Sequence, residues 1–294
     1  MQATQAPAAR YSGLEVSLFG LLLLVDSLHF VFARALLPYF DSIVAATLVL
    51  GVATVQLGLY ALLRGRLSWQ AIRGHWLFYL AIGVLVGGST ALGYTAVGYI
   101  DTGTAAMLGK LSTLFSMVFG LVWLREQLNW VQVGGGLLAV AGVLVITFQP
   151  GALLRFGSLL VVGSTLMYAL HAALVKRYGQ EIDFMHFFFG RLLFTTAALL
   201  VFAVGRPLIA WPPAPVWLLV VAAGTVDVVI SRSLYYLALR RLPMTIHAIV
   251  LTLSPVATIL WALVLFDTFP QPQQLAGGVA VLMGVLLATF YRTR

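Results

Sequence analysis

Ten apolar runs, each near the length a lipid bilayer demands, follow one another along this chain with only short polar breaks between them. The hydrocarbon core of a membrane is about 30 Å thick and a helix rises 1.5 Å per residue, so roughly 20 apolar residues span it. The runs begin near residues 14, 43, 76, 102, 131, 156, 184, 215, 244 and 272. Breaks such as LLPYFDS, RGRLSWQAIRGH, KRYGQEID and GRPLIAWPPAP carry Pro, Gly or charge, which a lipid-facing helix accommodates only at a cost. No break is long enough to hold a soluble domain. Charged residues make up 9% of the chain, against about 25% in soluble domains, and hydrophobic ones 61%. The expected fold class is therefore an all-α integral membrane protein with ten transmembrane helices. The polar stretch MQATQAPAARYSG leads into an apolar run with no small-residue cleavage site, so a spanning helix is expected there rather than a signal peptide.

A net charge of +8 on a soluble protein would point to nucleic acid. Here the cations follow membrane orientation instead, and no nucleic-acid partner is expected. With the N-terminus in the cytoplasm, the segments on that side hold eleven of the Lys and Arg residues, among them Arg10, Arg64, Arg66, Arg73, Arg125, Lys176 and Arg240. The other side holds only Arg34, Arg155 and Arg206. This bias predicts that both termini are cytoplasmic, in what is expected to be a bacterial inner membrane. The chain has no cysteine, which excludes disulfides, thiolate metal sites and cysteine nucleophiles.

Sliding the sequence against itself by 142 positions aligns its rarer residues without a gap. His29 meets His171, Asp41 meets Asp183, Arg64 meets Arg206, Trp69 meets Trp211 and Ser89 meets Ser231. Further on, Tyr94 meets Tyr236, Ser112 meets Ser254, Gln132 meets Gln274, Gly135 meets Gly277 and Gly142 meets Gly284, while Arg34 faces Lys176. Two copies of five helices follow, over residues 14–150 and 151–294, behind a cytoplasmic segment 1–13. Because five is odd, the second copy must enter the membrane from the opposite side. The expected architecture is thus two inverted five-helix repeats, with a substrate site at their interface near the midplane.

The segment GYTAVGYIDTGTAAMLGKLSTLFSMVFGLVWLREQLNWVQVGGGLLAVAGVLVI resembles the third to fifth helices of an EamA-type repeat of the drug/metabolite transporter superfamily, including the Glu that ends the fourth helix, here Glu126. YYLALRRLPMTIHAIVLTLSPVATILWALVLFDTFPQPQQLAGGVAVLMGVLLATF resembles the same motif in the second copy, with the family's Pro as Pro255. Thr113 stands where the first copy would carry that Pro, and Thr268 where the second would carry Glu. The resemblance implies a ten-helix carrier of small metabolites, often an exporter of amino acids or related compounds.

Ionisable groups at membrane depth are costly unless they pair or face water, so they tend to line the interior or a substrate path. Asp26, Lys110, Arg191 and Asp227 should all lie near the midplane, and His29 and His171 are repeat partners expected on opposite sides of it. Arg191 and Asp227 read either as an ion pair joining their helices or as site residues. Arg232 is expected to snorkel to the interface, and His247 to be interfacial. For Lys110, whose own helix offers no acidic neighbour one turn away, two readings stay open: a bridge to Asp26, or a cavity-facing ammonium that meets a substrate carboxylate or phosphate. His29 and His171 read as symmetric gate residues or as histidines satisfied within their own bundles. Tyr94, Tyr168 and Tyr236 could wall the cavity with an apolar body and a polar tip, or could simply pack. Glu126 is expected to pair locally with Arg125. Histidines neutral, three buried cations face two carboxylates, a surplus suited to an anionic or zwitterionic cargo that snorkelling by Arg232 would erase.

No His-Glu-x-x-His, Gly-x-Ser-x-Gly or Walker motif occurs, so neither catalytic residues nor ATP hydrolysis are expected, and no cofactor or metal is implied. A secondary transporter is the reading these features favour, with a lipid-linked-sugar flippase or an intramembrane enzyme as the alternative. Asp26 and His29 raise the prospect of proton coupling.

Overall fold

The computed structural model describes residues 13–28, 32, 35, 36, 38–97, 99, 108–147, 156–206, 211–254 and 272–290. They are helical almost throughout, with no strand among the described residues. In chain order the elements are α1 (Gly13–Ser27), α2 (Ser42–Leu63), the short α3 (Trp69–Gly74), α4 (Trp76–Val97), α5 (Leu111–Trp123), α6 (Trp130–Thr147), α7 (Phe156–Tyr178), α8 (Phe184–Ala203), α9 (Ala214–Arg241), α10 (Met244–Leu253) and α11 (Pro272–Phe290). Five of these, α2, α4, α7, α8 and α9, are long and apolar enough to cross a membrane, and α5, α6, α10 and α11 are shorter apolar helices. Their outward faces carry Leu62, Val122, Val201 and Leu218, each more than 60% exposed, as suits a lipid-facing surface and not a watery one.

The polar landmarks of the repeat have local physical reasons. Asp41 and Asp183 are both helix N-caps: Asp41 accepts from the Ile43 N–H at 2.9 Å, and Asp183 from Met185 at 2.9 Å and His186 at 3.3 Å. Just past the ends of α2 and α8, Gly65 (φ 60°) and Gly205 (φ 79°) take the left-handed conformation that stops a helix.

Two pairs of equivalent helices, α2 with α8 and α6 with α11, pack on one another and run antiparallel. Between α2 and α8, the hydroxyls of Thr54 and Thr196 hydrogen-bond at 2.9 Å across a separation of 142 residues. Two copies of one position can touch only on a symmetry axis, so a pseudo-two-fold passes through this pair. On either side of it, Gly51 faces Thr196 and Gly58 faces the Phe189 ring, the order expected of antiparallel neighbours. The seam between α6 and α11 repeats the pattern. A Cβ on Gly135 would stand 2.7 Å from the Gly284 carbonyl, and one on Gly142 would stand 2.7 Å from the Gly277 carbonyl. Only glycine permits backbones this close, the small-residue packing that replaces hydrophobic attraction inside a membrane. Two further contacts hold the halves together: Ser89 and Ser164 donate to each other's carbonyls at 2.9 and 2.7 Å between α4 and α7, and Gly83 lies against the backbone of Phe194 on α8.

One end of the bundle, where α5, α7 and α9 finish and α8 and α10 start, is tied by charge. Glu126 does not act as the local partner of Arg125 that its position suggests. Its carboxylate reaches across to the N-terminus of α10, accepting from the Met244 N–H and from Thr245 at 3.0 Å. Backbone donors at a helix N-terminus have no intrahelical acceptor, so an anion belongs there. Lys176 does the converse at the end of α9, donating to the carbonyls of Leu239 at 2.8 Å and Leu242 at 2.6 Å. Arg240 donates to the carbonyls of Gly179 and Ile182 with its guanidinium 4.9 Å from the centre of the Phe187 ring. We call this the tied end. At the opposite end, Arg206 pairs with Asp41 at 3.4 Å. The repeat counterparts of Lys176 and Glu126, which are Arg34 and Thr268, lie outside the described residues, as do Pro255 and the start of the fourth apolar run.

Candidate functional site

Two carboxylates inside the bundle, those of Asp26 and Asp227, meet at one guanidinium. Halfway along α9 the backbone widens into a π-helical stretch, Gly224–Ile230, against α2, where a Cβ on Gly224 would lie 3.0 Å from the Val49 carbonyl. Such i→i+5 turns recur at functional sites, and this one brings Asp227 and Arg232, five residues apart, together on one side of the helix. The Arg232 guanidinium lies 3.2 Å from Asp26 on α1 and 3.9 Å from Asp227, and donates to the Tyr168 hydroxyl on α7 at 3.5 Å. Ser231 and Ser254 each donate to Asp26 at 3.5 Å. Arg232 therefore does not snorkel. Its side chain is 19% exposed inside the bundle, where two carboxylates and a phenol hold it better than a long reach to the interface would.

Tyr168 and Arg232 stand between two cavities. The larger, about 430 Å³, is lined by Ala45, Val49, Thr90, Gly93, Arg191 and Asp227 and lies toward the end where Asp41 meets Arg206. The smaller, about 220 Å³, is lined by Asp26, Lys110, Ser116, Met244 and His247 and reaches toward the tied end. Both volumes share the Tyr168–Arg232 wall.

Lys110 caps the start of α5 and faces the smaller cavity, which Asp26 also lines; no carboxylate of a described residue lies within 4.0 Å of it. Of the two readings open for Lys110, the close bridge to Asp26 is not formed, because Asp26 is engaged by Arg232. Nor does Arg191 pair with Asp227. It is 4% exposed and lies over the ring of Tyr236, with the guanidinium carbon 5.0 Å from the ring centre, while it also lines the larger cavity.

His171 is fully buried one layer behind these walls. Its Nδ1 lies 2.5 Å from the Tyr168 carbonyl, an acceptor only, so the proton sits on Nδ1. In the neutral ring Nε2 then accepts from the Tyr236 hydroxyl at 3.0 Å. One histidine thus ties the Tyr236 hydroxyl, under Arg191, to the α7 backbone at Tyr168. His247 is not interfacial: it is buried, packs edge-on against Tyr235 at 4.6 Å and lines the smaller cavity. His29 lies outside the described residues, as does the side chain of Tyr94.

Sequence reasoning passed over Ser231, Tyr235 and Ser254 and placed Arg232 elsewhere. Ser254 carried a signal, as the repeat partner of Ser112, and Ser231 as the partner of Ser89. Tyr235 carried none.

An all-helical membrane bundle with antiparallel halves, and a charged layer between two internal cavities, has the build of a transporter. The chain belongs to the EamA-like transporter family, whose model matches residues 15–148 and again 155–290, and the relatives are of the drug/metabolite transporter type. It is similar to a probable terminal-alkyne amino-acid exporter of Streptantibioticus cattleyicolor, 26% identical over 196 residues that make up 64% of each chain. An uncharacterized transporter of Bacillus subtilis is 25% identical over 202 residues, again 64% of each chain, and one of Archaeoglobus fulgidus 26% identical over 140 residues, 47% of this chain and 49% of its own. The chain thus spans less than two thirds of the length of these curated relatives. A crystal structure at 18% identity superposes with a TM-score of 0.82, covering 96% of this chain and 98% of its own, and shares the fold.

Proposed function

We propose that this transporter is a secondary exporter of amino acids or related zwitterionic or anionic compounds, working by alternating access in a bacterial inner membrane. In this reading ten crossings form two inverted five-helix repeats, 14–150 and 151–294, behind a cytoplasmic segment 1–13, with both termini cytoplasmic. The observation that carries the reading is the pair of cavities meeting at the Tyr168–Arg232 wall. Two volumes closed from each other by one charged layer are what a carrier needs if its site is to be reached from one side at a time.

The charge of the site favours the cargo class. Lys110, Arg191 and Arg232 face Asp26 and Asp227, and because Arg232 stays inside, the surplus of one cation stands. The larger cavity, at about 430 Å³, falls within the roughly 300–1,000 Å³ of small-molecule sites. The name of the Streptantibioticus relative points the same way. Lys110, Asp26, Tyr168, Arg191 and Asp227 would meet substrate at the cavity walls, with His171 and Tyr236 supporting them and His29 and Tyr94 completing the path. Asp26 and His29 are the two residues of the path proposed for proton coupling.

Counterflow in proteoliposomes with a panel of radiolabelled L-amino acids tests this. At least one amino acid should exchange faster than into empty liposomes, and a panel with no exchange at all would end the amino-acid reading. Flux that is the same with and without a pH gradient would remove the proton.

A further inference from the structure

The charged groups of the larger cavity are not equally occupied. Arg232 is held by Asp26 at 3.2 Å, by Asp227 at 3.9 Å and by the Tyr168 hydroxyl. Arg191, on the facing helix α8, is hydrogen-bonded to Tyr236, yet two of its buried guanidinium nitrogens, Nε and Nη1, have no hydrogen-bond partner among the described residues. A buried cationic donor left this way is costly, and a charge-assisted bond to an oxyanion relieves the cost. The geometry also holds the guanidinium still. Tyr236 lies beneath it at 5.0 Å, and the Tyr236 hydroxyl is bonded to His171 Nε2, whose Nδ1 is bonded to the Tyr168 carbonyl. An arginine with unspent donors, braced on a stacked ring and bordering a cavity, is built to receive a planar anion.

We infer that Arg191 anchors the carboxylate of the transported compound, with Tyr236 and His171 as positioning residues that set its guanidinium. The inference rests on the proposed export of carboxylate-bearing metabolites and names the group that reads them. It assigns Arg232 a different task, since its nearest charge, Asp26, lines the other cavity: Arg232 closes the wall and Arg191 selects the cargo.

The test is a thermal-shift titration of the purified full-length protein in detergent with matched compounds: leucine, phenylalanine and isocaproate, against leucinamide, phenylalaninamide and isoamylamine. The carboxylates should raise the Tm, and the amides and the amine should bind roughly 10- to 100-fold more weakly. R191Q should lose that preference and R191K should keep part of it. Y236F should weaken carboxylate binding while leaving the ranking of the compounds intact. Carboxylates that give no shift, amides that bind as well as acids, or an R191Q protein that keeps the wild-type preference would each overturn the assignment. The wild-type comparison decides even if R191Q does not fold. Counterflow separates this inference from the function itself: carboxylate binding through Arg191 without flux would sink the export reading alone, while amino-acid flux that survives R191Q would sink the anchor alone.

Discussion

The seam between α6 and α11 and the charged layer around Arg232 obey the same 142-residue repeat in opposite ways. At the seam the repeat is kept: Gly135 pairs with Gly284 and Gly142 with Gly277, so each contact is the symmetry copy of the other. In the layer it is broken. Arg232 corresponds to Thr90, Asp26 to Tyr168, Lys110 to Thr252, Asp227 to Leu85 and Arg191 to Val49. In the proposed alternating-access cycle, symmetric packing would give the frame two nearly equivalent arrangements, one facing each side. A charged layer copied in both halves would bury twice the ions without adding selectivity, so the chemistry sits where the copies have diverged.

Four single substitutions, two of them extended to doubles, press on this difference, from the largest expected effect to the smallest. Gly284→Val puts a branched side chain against the α6 backbone, where there is no room. It should cost at least about 3 kcal/mol and leave little monodisperse protein by size exclusion. Equal yield of this variant and wild type would show that the seam is not the frame. Arg232→Gln removes the guanidinium from two carboxylates and should cost about 2–3 kcal/mol, below the value for a dry ion pair because the layer borders two cavities. Adding Asp26→Asn should recover part of that loss in an SDS unfolding titration; strictly additive losses would mean that the 3.2 Å contact carries no coupling.

Tyr236→Phe leaves the ring under Arg191 and deletes the hydroxyl that donates to His171 and bonds Arg191, so about 1–2 kcal/mol is expected in the same titration. A loss of about 3 kcal/mol or more would give those bonds a larger share of the frame than their geometry supports. Least affected should be Thr54→Val, which leaves the axis hydrogen bond without one partner for about 0.5–1 kcal/mol, and Thr54→Val with Thr196→Val should cost little more, since each removes the same bond.

Much of the frame was readable from residue order because its signals are local or periodic. Run length marks the helices, the offset marks the repeat, and Asp41 and Asp183 match because both cap a helix start. Position along each run also singled out Asp26, Lys110, Arg191 and Asp227, which line the two cavities. Direction around the helix was not readable. Depth made Lys110 the natural partner of Asp26 and Arg191 that of Asp227, but the partner of Asp26 is Arg232, brought round by the π-helical stretch over Gly224–Ile230. Nothing in GTVDVVI announces that widened turn, because it depends on how α9 meets α2. Glu126 misled for a similar reason: its neighbour in sequence is Arg125, whereas its partners are backbone donors 118 and 119 residues away.

The central claim, that the Tyr168–Arg232 layer separates two cavities reached from opposite faces, is open to direct chemical labelling because the chain has no cysteine of its own. Thr90→Cys places a thiol in the larger cavity and Ala248→Cys one in the smaller. With a membrane-impermeant thiol reagent applied to right-side-out and inside-out vesicles, the two should react from opposite faces, and a transported amino acid should change their rates in opposite directions. Labelling of both from the same face, at rates indifferent to substrate, would contradict the account.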